Sequence, residues 1–182
     1  RIPLWKDLAQ ARQEMLWGLS MADVVKLSDE EAAFLWELPP RESAEKLLRD
    51  YPAALVFVTC GADGCYYAGR QGAGHVPCPP VHPVDTTGAG DIFMGSAVAQ
   101  LLRTGRRPEE LDAAQLRHIA AAACTEASLS TERPGGISSI PRRPQPRPAE
   151  KTLSPPRAVC NKKPEAPSPA GPPVLVPGIC AP

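Results

Sequence analysis

The sequence predicts an α/β domain over residues 1–141: a three-layer α/β/α arrangement with a mainly parallel sheet in the middle. Two observations carry this reading. Short apolar runs alternate with stretches of helical spacing, the pattern left by strands and the helices that cross over between them. One of the runs, Ala54–Thr59 (ALVFVT), shows no polar alternation, as in a strand covered on both faces.

Taken in order, residues 5–19 place Leu8, Ala11, Met15 and Leu19 at helical spacing, with Gly18 marking the end. Asp23–Leu27 (DVVKL) is short and rich in β-formers and reads as a buried strand. Ser28-Asp29-Glu30-Glu31 opens a helix that runs to about Trp36, and Pro39-Pro40 breaks it. A further helix is expected over 42–50, and the strand Ala54–Thr59 follows. Gly61 and Gly64 bracket a tight turn, Cys65–Ala68 returns as a strand, and a shorter strand is expected near 74–78. Val84-Asp85-Thr86-Thr87-Gly88-Ala89-Gly90-Asp91 is a polar glycine turn leading into a helix from Ala89 to about Arg103, which Gly105 and Pro108 stop. Asp112 with Gln115 has capping-box spacing. Leu116, Ile119, Ala120, Ala123 and Ala127 give the inward face of the last helix.

Composition narrows the class. The formal net charge is zero, so no bulk field points to nucleic acid or to a membrane surface. The balance hides an asymmetry: residues 142–182 carry a net charge of +5 and the remainder −5. That C-terminal segment holds 12 of the 23 prolines and little aliphatic sequence, and it is expected to be disordered. No apolar run approaches the ~20 residues of a membrane span, and no signal peptide is visible. Cys60, Cys65, Cys78, Cys124, Cys160 and Cys180 form no Cys-x-x-Cys pair and no zinc-finger spacing. Reduced thiols and a cytoplasmic location are the expectation. The chain begins with Arg1 inside helical sequence and reads as a fragment or a processed product.

The chemistry is concentrated in Asp85–Asp91 (DTTGAGD). Small residues let a ligand approach the backbone closely. The unpaired N–H groups of Gly88, Ala89, Gly90 and Asp91, at a helix start, form an anion hole. A transferring phosphoryl group suits such a hole, because negative charge gathers on its oxygens. Asp91 stands beside it, and its carboxylate is placed to accept the proton of an attacking hydroxyl. A tight loop with Asp91 as a plain helix cap is the simpler alternative. There is no Gly-Lys-Ser/Thr of a Walker A loop, and Phe93 occupies the third glycine position of a dinucleotide fingerprint.

Val84–Ala97 (VDTTGAGDIFMGSA) closely resembles the second signature of the ribokinase-like (PfkB) carbohydrate kinases. The resemblance implies a ribokinase-like fold and ATP-dependent phosphoryl transfer to a sugar hydroxyl. It makes Asp91 the catalytic base and the Gly88–Asp91 backbone the anion hole. Val25–Glu31 (VKLSDEE) resembles the family segment whose glutamate organises Mg²⁺ through water, and Glu31 stands at that position, with Ser28 in place of the usual asparagine. Ser28-x-x-Glu31 is equally a capping box. Thr59-Cys60-Gly61-Ala62-Asp63-Gly64 resembles the turn that lies along the nucleotide, so Thr59, Gly61 and Gly64 are candidate nucleotide contacts. Pro134–Pro141 resembles the closing segment, with Pro134 and Gly136 departing from the usual residues. In many members the equivalent loops hold a potassium ion, which makes Asp85 and Thr87 candidates to shape such a site.

Within the family the VKLSDEE wording and the opening Arg-x-Pro-Leu-Trp look most like fructokinases. Fructose is therefore the first expected acceptor, with ribose, 2-keto-3-deoxygluconate or a nucleoside as alternatives. Family members begin with an N-terminal half that supplies most sugar-binding residues, and nothing resembling it precedes Arg1. The partners expected are a small sugar and that missing half, with neither nucleic acid nor membrane; a homodimer stays open. A non-catalytic nucleotide-binding module is the competing reading of a different class.

Overall fold

A computed structural model describes residues 2–141. Five helices and four strands follow in the order α1 (Leu8–Leu19), β1 (Val24–Ser28), α2 (Asp29–Trp36), α3 (Pro40–Asp50), β2 (Leu55–Thr59), β3 (Cys65–Gly69), β4 (Gly72–Val76), α4 (Ala89–Thr104) and α5 (Ala113–Ser130). The disorder expected for 142–182 concerns residues outside those described.

Local chemistry sets most boundaries. The Asp7 carboxylate accepts the N–H groups of Ala9 and Gln10, at 2.8 and 3.3 Å, and so fixes the start of α1 at Leu8 rather than near Trp5. Leu8, expected on the inward face, is exposed, while Ala11 and Leu19 are buried. Ser28 and Glu31 close a full capping box on α2, as Asp112 and Gln115 do on α5. Pro40 does not merely break a helix. It is the first residue of α3, where its fixed φ and missing N–H cost nothing. Gly105, with φ of 64°, ends α4 in the left-handed conformation that favours glycine.

The sheet has the order β1-β2-β3-β4 and is mixed, which corrects the expectation of a mainly parallel sheet. Only β1 and β2 run parallel, with Lys26 opposite Phe57. β2–β3 and β3–β4 are antiparallel. The reason is the shortness of the connections. A parallel return needs a crossover of a dozen residues or more, whereas the Gly61–Gly64 turn and the tight turn before Gly72 allow only hairpins. Gly64 is obligatory there: φ is 100°, and a Cβ would lie 2.1 Å from the Val76 carbonyl oxygen.

Helices cover both faces, so the three-layer reading holds. Val25, Leu27, Val56 and Val58 pack with Leu35 of α2 and Leu47 of α3 on one face. Leu55, Phe57, Cys65 and Tyr67 pack with Phe93 of α4 and Leu116 and Ile119 of α5 on the other. Leu55 to Val58 are fully buried, as a strand between two helical layers requires. Side chains alternate along β1, and Val24 packs on the α4–α5 side, so Lys26 and Ser28 turn to that side as well.

The Phe57 ring meets Phe93 edge to face, with centroids 5.4 Å apart. This contact ties the central strand to the start of α4. Phe57→Ala is expected to cost about 3–5 kcal/mol of stability, read as a fall in the denaturant midpoint at unchanged slope. A loss under about 1 kcal/mol would contradict the placement of this ring in a close-packed core.

Candidate active site

The site lies where β1 and β2 end and α4 begins. Gly88 takes φ of 80°, and a Cβ on it would come within 3.2 Å of Gly136, so the turn before α4 and the closing loop touch through two glycines. Backbone bonds hold the turn. Val84 and Asp85 both donate to the Thr131 carbonyl, at 2.7 and 3.0 Å; Ala89 donates to the Thr86 carbonyl at 3.2 Å, so its N–H, expected in the anion hole, is taken up in closing the turn. Ile92 closes the first helical turn on Gly88 at 2.9 Å. Among the described residues no acceptor takes the N–H groups of Gly88, Gly90 or Asp91. Free donors at the positive end of a 16-residue helix attract an anion.

Asp85 joins the two loops. One carboxylate oxygen accepts the Thr87 N–H and the other the Gly135 N–H, each at 2.8 Å. The Gly135 N–H first, and then Thr87, hold its pKa down at about 2. Thr87 and Asp85 thus meet in a turn that positions backbone, with both Asp85 oxygens taken by N–H groups.

A cavity of about 450 Å³ opens beside this turn. Thr59, Gly61 and Gly64 line one side of it, and Thr86, Ala89 and Gly90 line another. The two glycine segments, distant in sequence, therefore face one space. Thr59 is anchored by its hydroxyl, which donates to the Leu27 carbonyl at 3.3 Å. Asp91 is exposed and borders a second cavity of about 360 Å³, which Gly88 and Gly136 share. Glu31 lies apart from both. One of its oxygens accepts the Ser28 N–H at 2.8 Å, so the capping role is present.

Sequence reasoning missed the rest of the wall: the Cys78–Pro83 loop, Phe93, and Cys124 and Ser128 of α5. The proline run Pro79-Pro80-x-x-Pro83 was a signal of extended backbone there. The thiols in and beside that wall are unreactive. Burial pushes Cys60 up to about 11, a hydrogen bond with Cys65 contributes most to raising Cys124 to about 12, and one with Cys124 contributes most to raising Cys78. Protonated thiols are poor nucleophiles. Among the described residues no group of three His, Cys, Asp or Glu is placed to hold a metal, and no helix is long and apolar enough to cross a membrane.

A glycine turn with free N–H groups at a helix start, a carboxylate next to it and a cavity of about 450 Å³ alongside make up the candidate site of this α/β protein. Comparison places it more closely. The chain belongs to the pfkB family of carbohydrate kinases, whose sequence model matches residues 1–143. Among curated relatives, "Probable fructokinase-3" of Arabidopsis thaliana is 33% identical over 142 residues, covering 78% of this chain and 41% of the relative. Among solved structures, the fructokinase of Vibrio cholerae O395 "in fructose, ADP and potassium ion bound form" is 28% identical with a TM-score of 0.64, covering 78% of this chain and 44% of that one. The aminoimidazole riboside kinase of Salmonella enterica "complexed with aminoimidazole riboside and ATP analog" is 26% identical with a TM-score of 0.64, covering 78% and 46%. The chain thus spans less than half the length of these relatives.

Asp85→Ala is expected to release the Gly135 loop. The Gly135 amide should be strongly protected from hydrogen exchange in the wild type at neutral pH and close to unprotected in the variant. The sign of the pH effect follows from the depressed pKa. The tie is fully present above the ordinary carboxylate range, near 4, and is lost only as the pH falls through about 2. Equal protection in both proteins would contradict the bridge.

Proposed function

We propose that the protein carrying this chain is an ATP-dependent sugar kinase with fructose as acceptor. The observation that supports this most is the free N–H of Gly90, in the wall of the larger cavity, with the free N–H and the carboxylate of Asp91 next to it. In this reading ATP lies in the larger cavity along Thr59, Gly61 and Gly64, with its terminal phosphate against Gly88–Asp91. The sugar hydroxyl attacks that phosphorus from the exposed side of Asp91. Its oxygen bonds to phosphorus, the bond to the bridging oxygen breaks with its electron pair staying on ADP, and the proton passes to Asp91. Phosphoryl transfer has a loose transition state, so positioning and charge stabilisation supply most of the acceleration.

Two ions fit the residues present. Without a cluster of direct protein ligands among the described residues, Mg²⁺ suits the phosphate oxygens and water, its usual partners in nucleotide sites. The second oxygen of Glu31 would hold a metal-bound water, and the ion would neutralise phosphate charge. In this reading a potassium ion would lie beside the two loops that Asp85 joins. Asp85 and Thr87 would hold it, and its charge would reinforce the anion hole.

In the full-length protein, Asp91→Asn should lower kcat by about 10²–10⁴-fold, the usual loss of a positioned proton acceptor, while ATP binding changes little. ADP formation with fructose, ribose and a nucleoside measures both activity and acceptor. Near-normal turnover by Asp91→Asn would make Asp91 a helix cap. Faster turnover with a nucleoside would transfer the assignment to the riboside-kinase branch.

A further inference from the structure

Lys26 presents an electrostatic problem that the proposed reaction would solve. It sits in the middle of β1, on the face that packs against α4 and α5. Its neighbour across the strand pair is Phe57, and the layer it points into is apolar, built from Phe57, Phe93 and Ala97. Its ammonium nitrogen lies only 3.1 Å from where a Gly90 Cβ would stand. A half-buried cation has thus been placed against the first turn of α4, the end of the helix that already carries partial positive charge.

Two like charges brought together repel, and partial burial strengthens the repulsion. Ordinarily a carboxylate would compensate. Among the described residues Lys26 forms neither an ion pair nor a hydrogen bond through its side chain. The strand offers no packing reason for a lysine here, where flanking positions on the same side take apolar or small residues. A Cβ at position 90 would press on the ammonium and push the end of the lysine side chain aside by a few tenths of an ångström.

We propose that Lys26 is a catalytic residue whose ammonium contacts the terminal phosphoryl oxygens of ATP, completing the anion hole with the N–H groups of Gly90 and Asp91. This rests on the kinase reading above. The ammonium keeps its protons throughout. As the sugar oxygen bonds to phosphorus and the bridging oxygen leaves with ADP, Lys26 stays beside the group in transit and offsets its charge. The proton of the hydroxyl goes to Asp91, so base and cation have separate tasks on opposite sides of one helix start.

The test uses full-length wild type, Lys26→Met and Lys26→Arg. Affinities for ADP and for a non-hydrolysable ATP analogue are measured by calorimetry, kcat by ADP formation with fructose, and folding by thermal unfolding. The expected result for Lys26→Met is at least a 10-fold loss of affinity for the ATP analogue, with ADP affinity within about 2-fold. Its kcat should fall by about 10²-fold, as when one anion-hole donor is removed. Lys26→Arg, which keeps the charge, should recover part of the preference for the ATP analogue over ADP. If Lys26→Met lowers both affinities equally, or shifts only the unfolding temperature, the lysine is structural and the proposal is overturned. If Lys26→Met fails to fold, Lys26→Arg decides: loss of its preference for the analogue over ADP while folded would overturn the proposal as well. Wild type that binds the analogue over ADP yet turns over no sugar would sink the kinase reading and not the phosphate contact.

Discussion

Two backbone N–H groups, those of Gly90 and Asp91, stay without a protein acceptor, and the proposed phosphoryl site depends on their being held so. A loose glycine turn would not do so, because it would fold back and satisfy its own donors. Here the turn is held from outside. The Thr131 carbonyl takes two N–H groups from Val84 and Asp85, and the Asp85 carboxylate reaches across to Gly135. Phe93, one turn into α4, is fixed by Phe57 of the central strand. The helix start can then neither tilt nor unwind to consume its free donors.

The same constraint orders the electrostatics. The helix end, the free N–H groups and Lys26 are all positive, and among the described residues no carboxylate lies within bonding distance of the lysine. Asp85 is negative but spent on loop donors, and Glu31 spends one oxygen on the start of α2. Asp91 stands exposed on the outer side. A region so arranged is pre-organised for a multiply charged guest and needs little rearrangement when that guest arrives.

Much of this was legible in the sequence, for local reasons. The capping boxes at Ser28–Glu31 and Asp112–Gln115 depend on residues three apart, and both formed as read. The strand cores of β1 and β2 followed from apolar runs, and Leu116, Ile119, Ala120 and Ala123 turned inward as their spacing required. The glycine turn leads into α4 at Ala89 as read. What escaped was non-local. Strand direction depends on which strands neighbour each other, so alternation alone overstated the parallel character of the sheet. The start of α1 was decided by Asp7, whose carboxylate outcompeted a longer apolar pattern. Lys26 carried no signal of its own in the sequence. Its proximity to Gly90 exists only once β1 and α4 are packed, across 64 residues of sequence.

The most direct test of the whole account is a crystal structure of the full-length protein with ADP, fructose and a planar fluoroaluminate in place of the transferring phosphoryl group. The account predicts fluoroaluminate bound by the N–H groups of Gly90 and Asp91, with the Asp91 carboxylate within hydrogen-bonding distance of the attacking sugar hydroxyl. Fluoroaluminate seated away from the start of α4, or Asp91 turned away from the sugar with those N–H groups bonded to protein, would contradict it.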